Sequence, residues 1–283
     1  MNIFVLVPVF NRLQHTQRVI EALRCQSVAN QIRMVFINDG STDGTSAYLQ
    51  KQVDVVELIG DGNLWWGGAI QKGLEYVYTQ AGTDDFVLFL NNDTWFAPNY
   101  VETLLRVSIE AGNAAVGSVV HEEDRNPSLV SIGPRVNINR LAVWDKFNEI
   151  SDAEKWNPQK IYQVDALSGR GTLYPFELFR RFGGMRLHFL PHYMADYEIA
   201  MRFARNGVSL LVSSEAVVFS PPVYGNDILN LSLWDRLFSM RSSSNIFHRV
   251  AFYILVGTPL QRVTAPLRLL GFGVWRKLLT FKG

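Results

Sequence analysis

Short apolar runs that alternate with helix-like segments constrain the fold of this chain more than any other feature. Residues 3–9 form an uninterrupted, β-branched apolar run, which is typical of a strand buried on both faces of a sheet. Residues 13–25 then space their apolar side chains along one helix face. The pattern continues with strands predicted at 32–37, 53–59 and 85–90 and helices at 45–52 and 69–79. The chain therefore predicts an α/β fold, a Rossmann-like, mostly parallel sheet with helices on both faces.

The second half of the chain is less regular. It predicts strands at 116–120, 129–132 and 208–219, helices at 175–182 and 197–206, and a loop at 145–160. With 283 residues, the chain is long enough for one large domain, or one domain with an appendage.

Composition excludes several classes of protein. The single cysteine, Cys25, excludes an intramolecular disulfide and a cysteine-cluster zinc site. A net charge of +1 provides no overall field for nucleic acid, so no nucleic-acid partner is expected. Neither a signal peptide nor an apolar stretch long enough to span a bilayer is evident, which predicts a cytoplasmic location.

Charge divides the chain unevenly. Residues 1–227 carry a net charge of −6, whereas residues 228–283 carry +7 and are rich in apolar side chains. We therefore expect a basic, mainly helical C-terminal extension, which Pro259 and Pro266 break into short pieces. Basic and apolar residues together suit peripheral binding to the anionic inner face of the cell membrane. The alternative is a helical lid that packs on the body.

Polar residues follow the predicted strands at their carboxyl ends: Asn11 after the first, Asp39 after the second, and residues 91–93 after the fourth. In parallel α/β sheets, ligands bind outside the carboxyl ends of the strands. Asp39 can accept bonds from a nucleobase or ribose, while its neighbours Ser41 to Asp43 can cap a helix. The glycine-rich loop at 60–69 either approaches a phosphate closely or is an ordinary loop whose tryptophans fill the core.

Two further segments carry acidic groups. Asp93 suits Mg²⁺ or Mn²⁺, although residues 91–94 also fit a simple polar turn. Asp196 begins a predicted helix, where it caps the helix or acts as a base. Glu198 is expected to form a surface ion pair with Arg202. His192 is either a weak candidate metal ligand or a structural histidine.

Taken together, these segments resemble glycosyltransferase family 2, the nucleotide-sugar transferases with the GT-A fold, of the rhamnosyl- and galactosyltransferase type. The resemblance covers about residues 1–220. It rests on six segments in the order of the family: Val7 to Asn11, Asn38 to Thr45, Asn63 to Ala69, Asn91 to Asp93, Ser168 to Gly171, and Ala195 to Glu198.

The resemblance implies a catalytic domain at 1–227, with a nucleotide-binding half at about 1–115 and an acceptor half at about 116–227. It implies that Asp196 is the catalytic base and that Asp93 binds Mn²⁺ or Mg²⁺. The implied donor-binding residues are Pro8, Phe10, Asn11, Asp39, Asn63, Trp66, Gly68, Asn92 and Arg170.

The implied reaction moves a sugar, with inversion, from a nucleotide diphosphate to a saccharide or lipid-linked saccharide. Such a reaction is expected in the synthesis of a surface polysaccharide or glycolipid.

Three positions depart from the family pattern. Asn91 replaces the first acid of the family's Asp-x-Asp motif, Ala195 stands where many members carry Glu, and Arg12 stands where several relatives carry an acid. A nucleotide-sugar-binding module without turnover would fit the first two departures. A nucleotidyltransferase is the third hypothesis. It would require a basic, glycine-rich phosphate loop directly after the first strand, and the sequence Asn11-Arg12-Leu13 is not such a loop.

Overall fold

The computed structural model describes residues 1–122, 128–221, 232–240 and 242–280. The strands are β1 (Ile3–Val9), β2 (Ile32–Asn38), β3 (Val55–Ile59), β4 (Phe86–Phe89), β5 (Ala115–Glu122), β6 (Leu129–Ser131), β7 (Pro134–Asn137), β8 (Ala142–Asp145), β9 (Ile161–Gln163), β10 (Thr172–Pro175) and β11 (Leu210–Ser220). The α-helices are α1 (Leu13–Arg24), α2 (Thr45–Leu49), α3 (Trp65–Gln80), α4 (Tyr100–Glu110), α5 (Asp152–Lys155), α6 (Phe176–Phe182), α7 (Ala195–Arg205), α8 (Leu233–Phe238), α9 (Ile246–Val256) and α10 (Pro259–Thr280).

One central sheet organises the protein, with the strand order β3-β2-β1-β4-β10-β5-β11-β9. Strands β3, β2, β1 and β4 run parallel to their neighbours, and so do β5 and β11. Because side chains alternate along a strand, Leu6 and Phe89 enter one hydrophobic core, whereas Val5 and Leu88 enter another on the opposite face. Helix α3 covers the first face and α1 covers the second. The predicted α/β sheet with helices on both faces is confirmed.

Strand β10 is the element that assembles the two halves of the sheet. It lies antiparallel between β4 and β5, with Thr172 opposite Phe89. Its first residue therefore lies at the carboxyl end of β4, and Gly171 N donates a hydrogen bond to Phe89 O at 2.9 Å. The loop at residues 168–171 is consequently placed beside the turn that follows β4.

The described residues of the C-terminal extension are mainly helical, as predicted, and α9 packs on the body. Phe252, Tyr253 and Val256 of α9 are buried in the same core as Phe203 of α7. The prediction that Pro266 breaks the extension is wrong, because α10 continues through it. Loss of one backbone N–H weakens a helix without necessarily ending it.

Pro259 begins α10, where the missing N–H has no intrahelical partner to lose. The predicted boundary at residue 227 lies outside the described residues. Within the described part of the chain, every helix is too short or too polar to cross a bilayer.

Two other expectations need adjustment. Helix α3 begins at Trp65, four residues before the predicted start. The predicted loop at 145–160 contains the short helix α5, which Ser151 starts by accepting a hydrogen bond from the backbone of Glu154 in a capping box.

Candidate active site

The turn that follows β1 is tied to the loop that follows β2. Asn11 and Arg12 both adopt left-handed backbone conformations, with φ of 57° and 63°. Asn11 N donates to Ser41 Oγ at 2.8 Å, and Asn11 Oδ1 accepts from Thr42 N at 2.9 Å. Asp43 accepts from Leu13 N at 2.8 Å and so caps α1. These bonds fix both strand ends and leave the nearby Phe10 exposed.

Asp39 anchors the glycine-rich loop. One of its oxygens accepts from Gly62 N at 2.8 Å, and the other accepts from Leu64 N and Trp65 N at 3.0 and 3.3 Å. The sequence predicted nucleoside binding by Asp39 and helix capping by its neighbours Ser41 to Asp43, but it did not indicate this loop-anchoring role. A Cβ atom at Gly60 would lie 2.5 Å from Asp39 Oδ1, so this approach requires glycine.

The anchored loop presents three of the predicted donor residues. Asn63 lies exposed at its tip, and Gly68 lies in the first turn of α3. Trp66 is partly buried, and its Nε1 donates to Asn91 Oδ1 at 3.1 Å. Pro8 lies in β1, one residue before that strand's end and opposite Ile37.

The turn after β4 divides its three polar side chains among different partners. Asn91 accepts from Trp66, and the buried Asn92 donates to Thr16 Oγ1 at 3.3 Å. Asp93 pairs with Arg12, whose Nη1 lies 2.7 Å from Asp93 Oδ2. Arg12 departs from the family pattern, and its sequence position did not predict this contact.

Asp196 occupies the first turn of α7. Asp196 Oδ2 accepts from Gly169 N at 3.0 Å, and Oδ1 accepts from Tyr197 N at 3.0 Å. Burial raises the pKa of this carboxyl, while both N–H donors and the charge of Arg170 oppose the rise. A carboxylate whose pKa is raised takes up a proton more readily, which is the property a general base needs.

Trp66 and Gly169 connect the two acidic segments. The indole of Trp66 bonds Asn91 at one end, and its ring lies so close to Gly169 that a Cβ there would be 2.1 Å from Trp66 Cζ2. Gly169 in turn donates to Asp196. Asp93, two residues from Asn91, and Asp196 therefore lie at the same edge of the sheet.

His192 lies beside this edge in an apolar setting. Its ring centroid is 5.4 Å from that of Trp65, and its Nδ1 is buried without a hydrogen-bond partner in the described structure. Burial, together with the charge of His248, lowers the pKa of His192 to about 4. Among the described residues, no group of three or more His, Cys, Asp or Glu side chains could together hold a metal.

Glu198 differs from its predicted role as a surface ion pair. Its side chain is buried, and it pairs with Arg202 at 3.1 Å and with Arg186 at 3.5 Å. The expectation of a surface pair is wrong because this face of α7 turns toward the body, where Arg202 also donates to the carbonyl groups of residues 182–184.

The comparisons with known proteins agree with this architecture. Residues 4–181 match the family model described as Glycosyl transferase family 2. A structure of GalNAc-T7 with UDP, GalNAc and Mn²⁺ superposes with a TM-score of 0.63 at 12% identity, covering 80% of this chain and 44% of that one. A structure of S. aureus TarS residues 1–349 gives 0.58 at 13% identity, covering 90% and 81%. These likenesses identify the GT-A fold.

Two curated relatives are similar in sequence over shorter stretches. "Putative glycosyltransferase EpsH" of Bacillus subtilis (strain 168) is 29% identical over 107 residues, which is 37% of this chain and 29% of EpsH. Glycosyltransferase GlyA of Streptococcus pneumoniae serotype 4 is 28% identical over 120 residues, or 41% of this chain and 16% of GlyA. The matches thus span less than a third of either relative. Because the family model covers more than half of the chain, the protein belongs to glycosyl transferase family 2.

Proposed function

We propose that this protein transfers a sugar from a nucleotide-diphosphate donor to a hydroxyl group of a saccharide or lipid-linked saccharide. The observation that carries the proposal is the contact series from Asp196 through Gly169 and Trp66 to Asn91, which holds two acidic segments at one sheet edge. That edge is where parallel α/β sheets bind ligands. Family membership supports the reaction class.

In the proposed reaction, Asp196 accepts the proton of the acceptor hydroxyl while its oxygen attacks the anomeric carbon. The bond from that carbon to the diphosphate oxygen breaks, and the nucleoside diphosphate leaves with the electron pair. Attack from the face opposite the leaving group inverts the anomeric configuration. The hydrogen bond from Gly169 N fixes the carboxylate in place, and burial raises its pKa toward the working range of a base.

A divalent ion fits the donor half if the donor diphosphate supplies most of its ligands. Mg²⁺ is commonly held by one or two carboxylates together with substrate phosphates, and Asp93 provides one carboxylate. When bound, Mn²⁺ or Mg²⁺ would neutralise the charge that develops on the leaving diphosphate. The structure of GalNAc-T7 was obtained with Mn²⁺.

The remaining donor contacts would come from the loops around this edge. Phe10 is exposed beside the fixed Asn11 turn and offers a face on which a nucleobase can stack. Arg170 can contact the diphosphate through two N–H groups. The other proposed donor contacts are Pro8, Asp39, Asn63, Trp66, Gly68 and Asn92.

Asp196→Asn tests the base. Asparagine keeps an oxygen that can accept from Gly169 N but cannot take the proton, so we expect turnover to fall about 10²- to 10⁴-fold with donor affinity unchanged. Transfer is measured as release of nucleoside diphosphate with a panel of nucleotide sugars and saccharide acceptors. Turnover retained in the variant would refute the assignment, and donor binding without any hydrolysis or transfer by the parent protein would favour a binding module.

Asp93→Ala tests the metal ligand. Addition of Mn²⁺ should strengthen donor binding by the parent protein, as measured by calorimetry, and should leave the variant unaffected. A variant that still gains donor affinity with Mn²⁺ would show that Asp93 is not the ligand.

We further propose that residues 228–283 form an extension through which the protein contacts an anionic membrane surface from the cytoplasmic side. Leu260, Val263 and Leu267 are exposed at helical spacing on one face of α10, and Arg268 is exposed next to them. A lipid-linked acceptor would lie on the same surface. Replacing the three apolar residues with serine should abolish flotation with phosphatidylglycerol liposomes, and equal flotation of both proteins would contradict this proposal.

A further inference from the structure

Arg12 forms an ion pair inside the candidate donor site. Its Nη1 lies 2.7 Å from Asp93 Oδ2, and the Asp93 side chain is only 18% exposed. Asp93 is the carboxylate proposed above to hold the divalent ion. A protein cation therefore already pairs with one oxygen of the carboxylate that is proposed to bind the ion.

The Arg12 backbone is fixed, whereas its side chain has room to move. The residue sits in the left-handed turn with φ of 63°, next to the clamped Asn11, and its carbonyl accepts from Thr16 N at 3.1 Å. The side chain is 43% exposed. Its guanidinium can therefore change partners by rotation about side-chain bonds alone.

The neighbouring side chains do not offer the ion an alternative. Asn91 accepts from Trp66, and Asn92 is turned toward Thr16 in the interior. The ion pair of Arg12 and Asp93 has no net charge. A free dication that approaches Asp93 is therefore repelled by Arg12 and finds a carboxylate that is already paired.

A diphosphate changes this balance. Guanidinium groups bind phosphate oxygens through two parallel hydrogen bonds, and a diphosphate carries more negative charge than one carboxylate. A diphosphate that enters the site competes with Asp93 for Arg12 and releases the carboxylate. It also supplies oxygen ligands of its own to the ion.

We propose that Arg12 is a positioning residue that occupies Asp93 until a nucleoside diphosphate group draws it away, so that the divalent ion binds Asp93 only together with the donor. This inference rests on the proposed function of Asp93. In the donor complex, Arg12 contacts the diphosphate and shares in neutralising it.

The test compares the parent protein with Arg12→Gln in two binding measurements without turnover. In the first, Mn²⁺ alone is titrated and the free ion is followed by electron paramagnetic resonance. In the second, UDP, GDP and dTDP are titrated in EDTA by calorimetry. We expect Arg12→Gln to bind Mn²⁺ alone about tenfold more tightly, because one like charge has left the ion's neighbourhood. We expect the same variant to lose about tenfold in affinity for the preferred nucleoside diphosphate without metal.

Arg24→Gln is the matched control. Arg24 lies in the last turn of α1, the helix that follows Arg12, and its guanidinium pairs with Asp54 at 2.6 Å. This substitution removes the same charge from an Arg–Asp pair without touching Asp93. Both affinities should remain at the parent values.

The inference is overturned if Arg12→Gln binds Mn²⁺ no more tightly than the parent, or if its metal-free affinity for every diphosphate is unchanged. Adding Asp93→Asn separates this failure from that of the metal assignment. If the gain in Mn²⁺ affinity survives in the double variant, the ion sits elsewhere and the role of Asp93 fails as well. If Arg12→Gln alone shows no gain in Mn²⁺ affinity while Asp93→Ala still loses metal-dependent donor binding, only the role of Arg12 fails.

Discussion

Asp93 and Asp196 lie at one edge of the sheet, yet their carboxyl groups are in different electrostatic environments. Asp93 is compensated by a full positive charge at 2.7 Å. Asp196 accepts two backbone N–H groups, and burial raises its pKa. A paired acid suits a site that exchanges cations, whereas a desolvated acid suits a site that takes up a proton.

The same contrast extends to the surroundings of the two acids. In the first half of the chain, Asp39 and Asp43 accept hydrogen bonds from backbone N–H groups of the segments they hold. His192 and, in α9 of the C-terminal extension, His248 each bury a ring nitrogen that has no hydrogen-bond partner in the described structure. Backbone donors therefore hold the two aspartates, whereas burial lowers the pKa of both histidines, so the two groups should respond differently to mutation and to pH.

The largest expected effect comes from Gly169→Ala, which disrupts the contact between Gly169 and Trp66. The new Cβ would lie 2.1 Å from the Trp66 ring, which must shift and release Asn91. We expect the free energy of unfolding in urea to fall by about 3 kcal/mol. Transfer activity should fall with it.

The paired substitution Trp66→Leu tests the cause of that loss. The smaller side chain makes room for the new Cβ, so the double variant should lose less than the sum of the two single losses. Simple additivity would show that Gly169 and Trp66 are not coupled, and the two halves would then be independent.

The next largest effect concerns the hydrogen bonds between Asp39 and the glycine-rich loop. Asp39→Ala leaves the N–H groups of Gly62, Leu64 and Trp65 without their acceptor. We expect a loss of about 2 kcal/mol in urea unfolding, together with weaker binding of nucleoside diphosphates. The control Asp61→Ala alters the exposed tip of the same loop and should cost less. An equal cost in both variants would contradict the anchoring role.

The sequence predicted the strands of the first half because a strand buried on both faces leaves a continuous apolar run, as at residues 3–9. That Asp93 and Asp196 belong to one site was implied by the resemblance to glycosyltransferase family 2 and not by strand or helix periodicity. The sequence did not predict that β10 inserts antiparallel between β4 and β5. Strand order depends on contacts between residues far apart in the chain, and local periodicity does not report those contacts.

Side-chain partners were harder to predict than side-chain locations. Arg12 and Asp93 are separated by 81 positions, and Asp39 turns inward to a loop more than twenty residues away. Glu198 has helical spacing to Arg202 that is equally compatible with a surface pair, and only packing against Arg186 and the body buries it. Such pairings are fixed by the folded backbone, so residue type and spacing alone leave several choices open.

A smaller effect tests the surroundings of His192 through the pH dependence of stability. Burial lowers the pKa of His192 in the folded state to about 4, from an ordinary value of 6.5. Between these values the unfolded chain binds a proton that the folded protein does not. The contribution of His192 to the free energy of unfolding is therefore fully present above pH 6.5 and is lost as the pH falls toward 4. We expect the contribution of His192 to this loss to be about 1–2 kcal/mol after allowance for its partial exposure.

The corresponding variant is His192→Gln, studied by urea unfolding across the same range of pH. Its stability should change less with pH than that of the parent protein. Measurements at pH 8 serve as the control, because the imidazole is neutral there in both states and any difference reflects packing alone. A pH dependence identical to that of the parent would mean that His192 ionises alike in the folded and unfolded chains.

The smallest expected effect concerns the base itself. Because Asp196 must be unprotonated to act, kcat/KM of the proposed reaction should decline as the pH falls through the pKa of Asp196. Burial raises that pKa, so the decline should occur at higher pH than for an ordinary aspartate. The charge of Arg170 opposes that rise. Arg170→Gln should therefore move the decline to higher pH, by less than about one unit. A profile that stays in place while donor affinity drops would assign Arg170 to the donor alone, and the contrast between the two acids would then rest on burial without help from this charge.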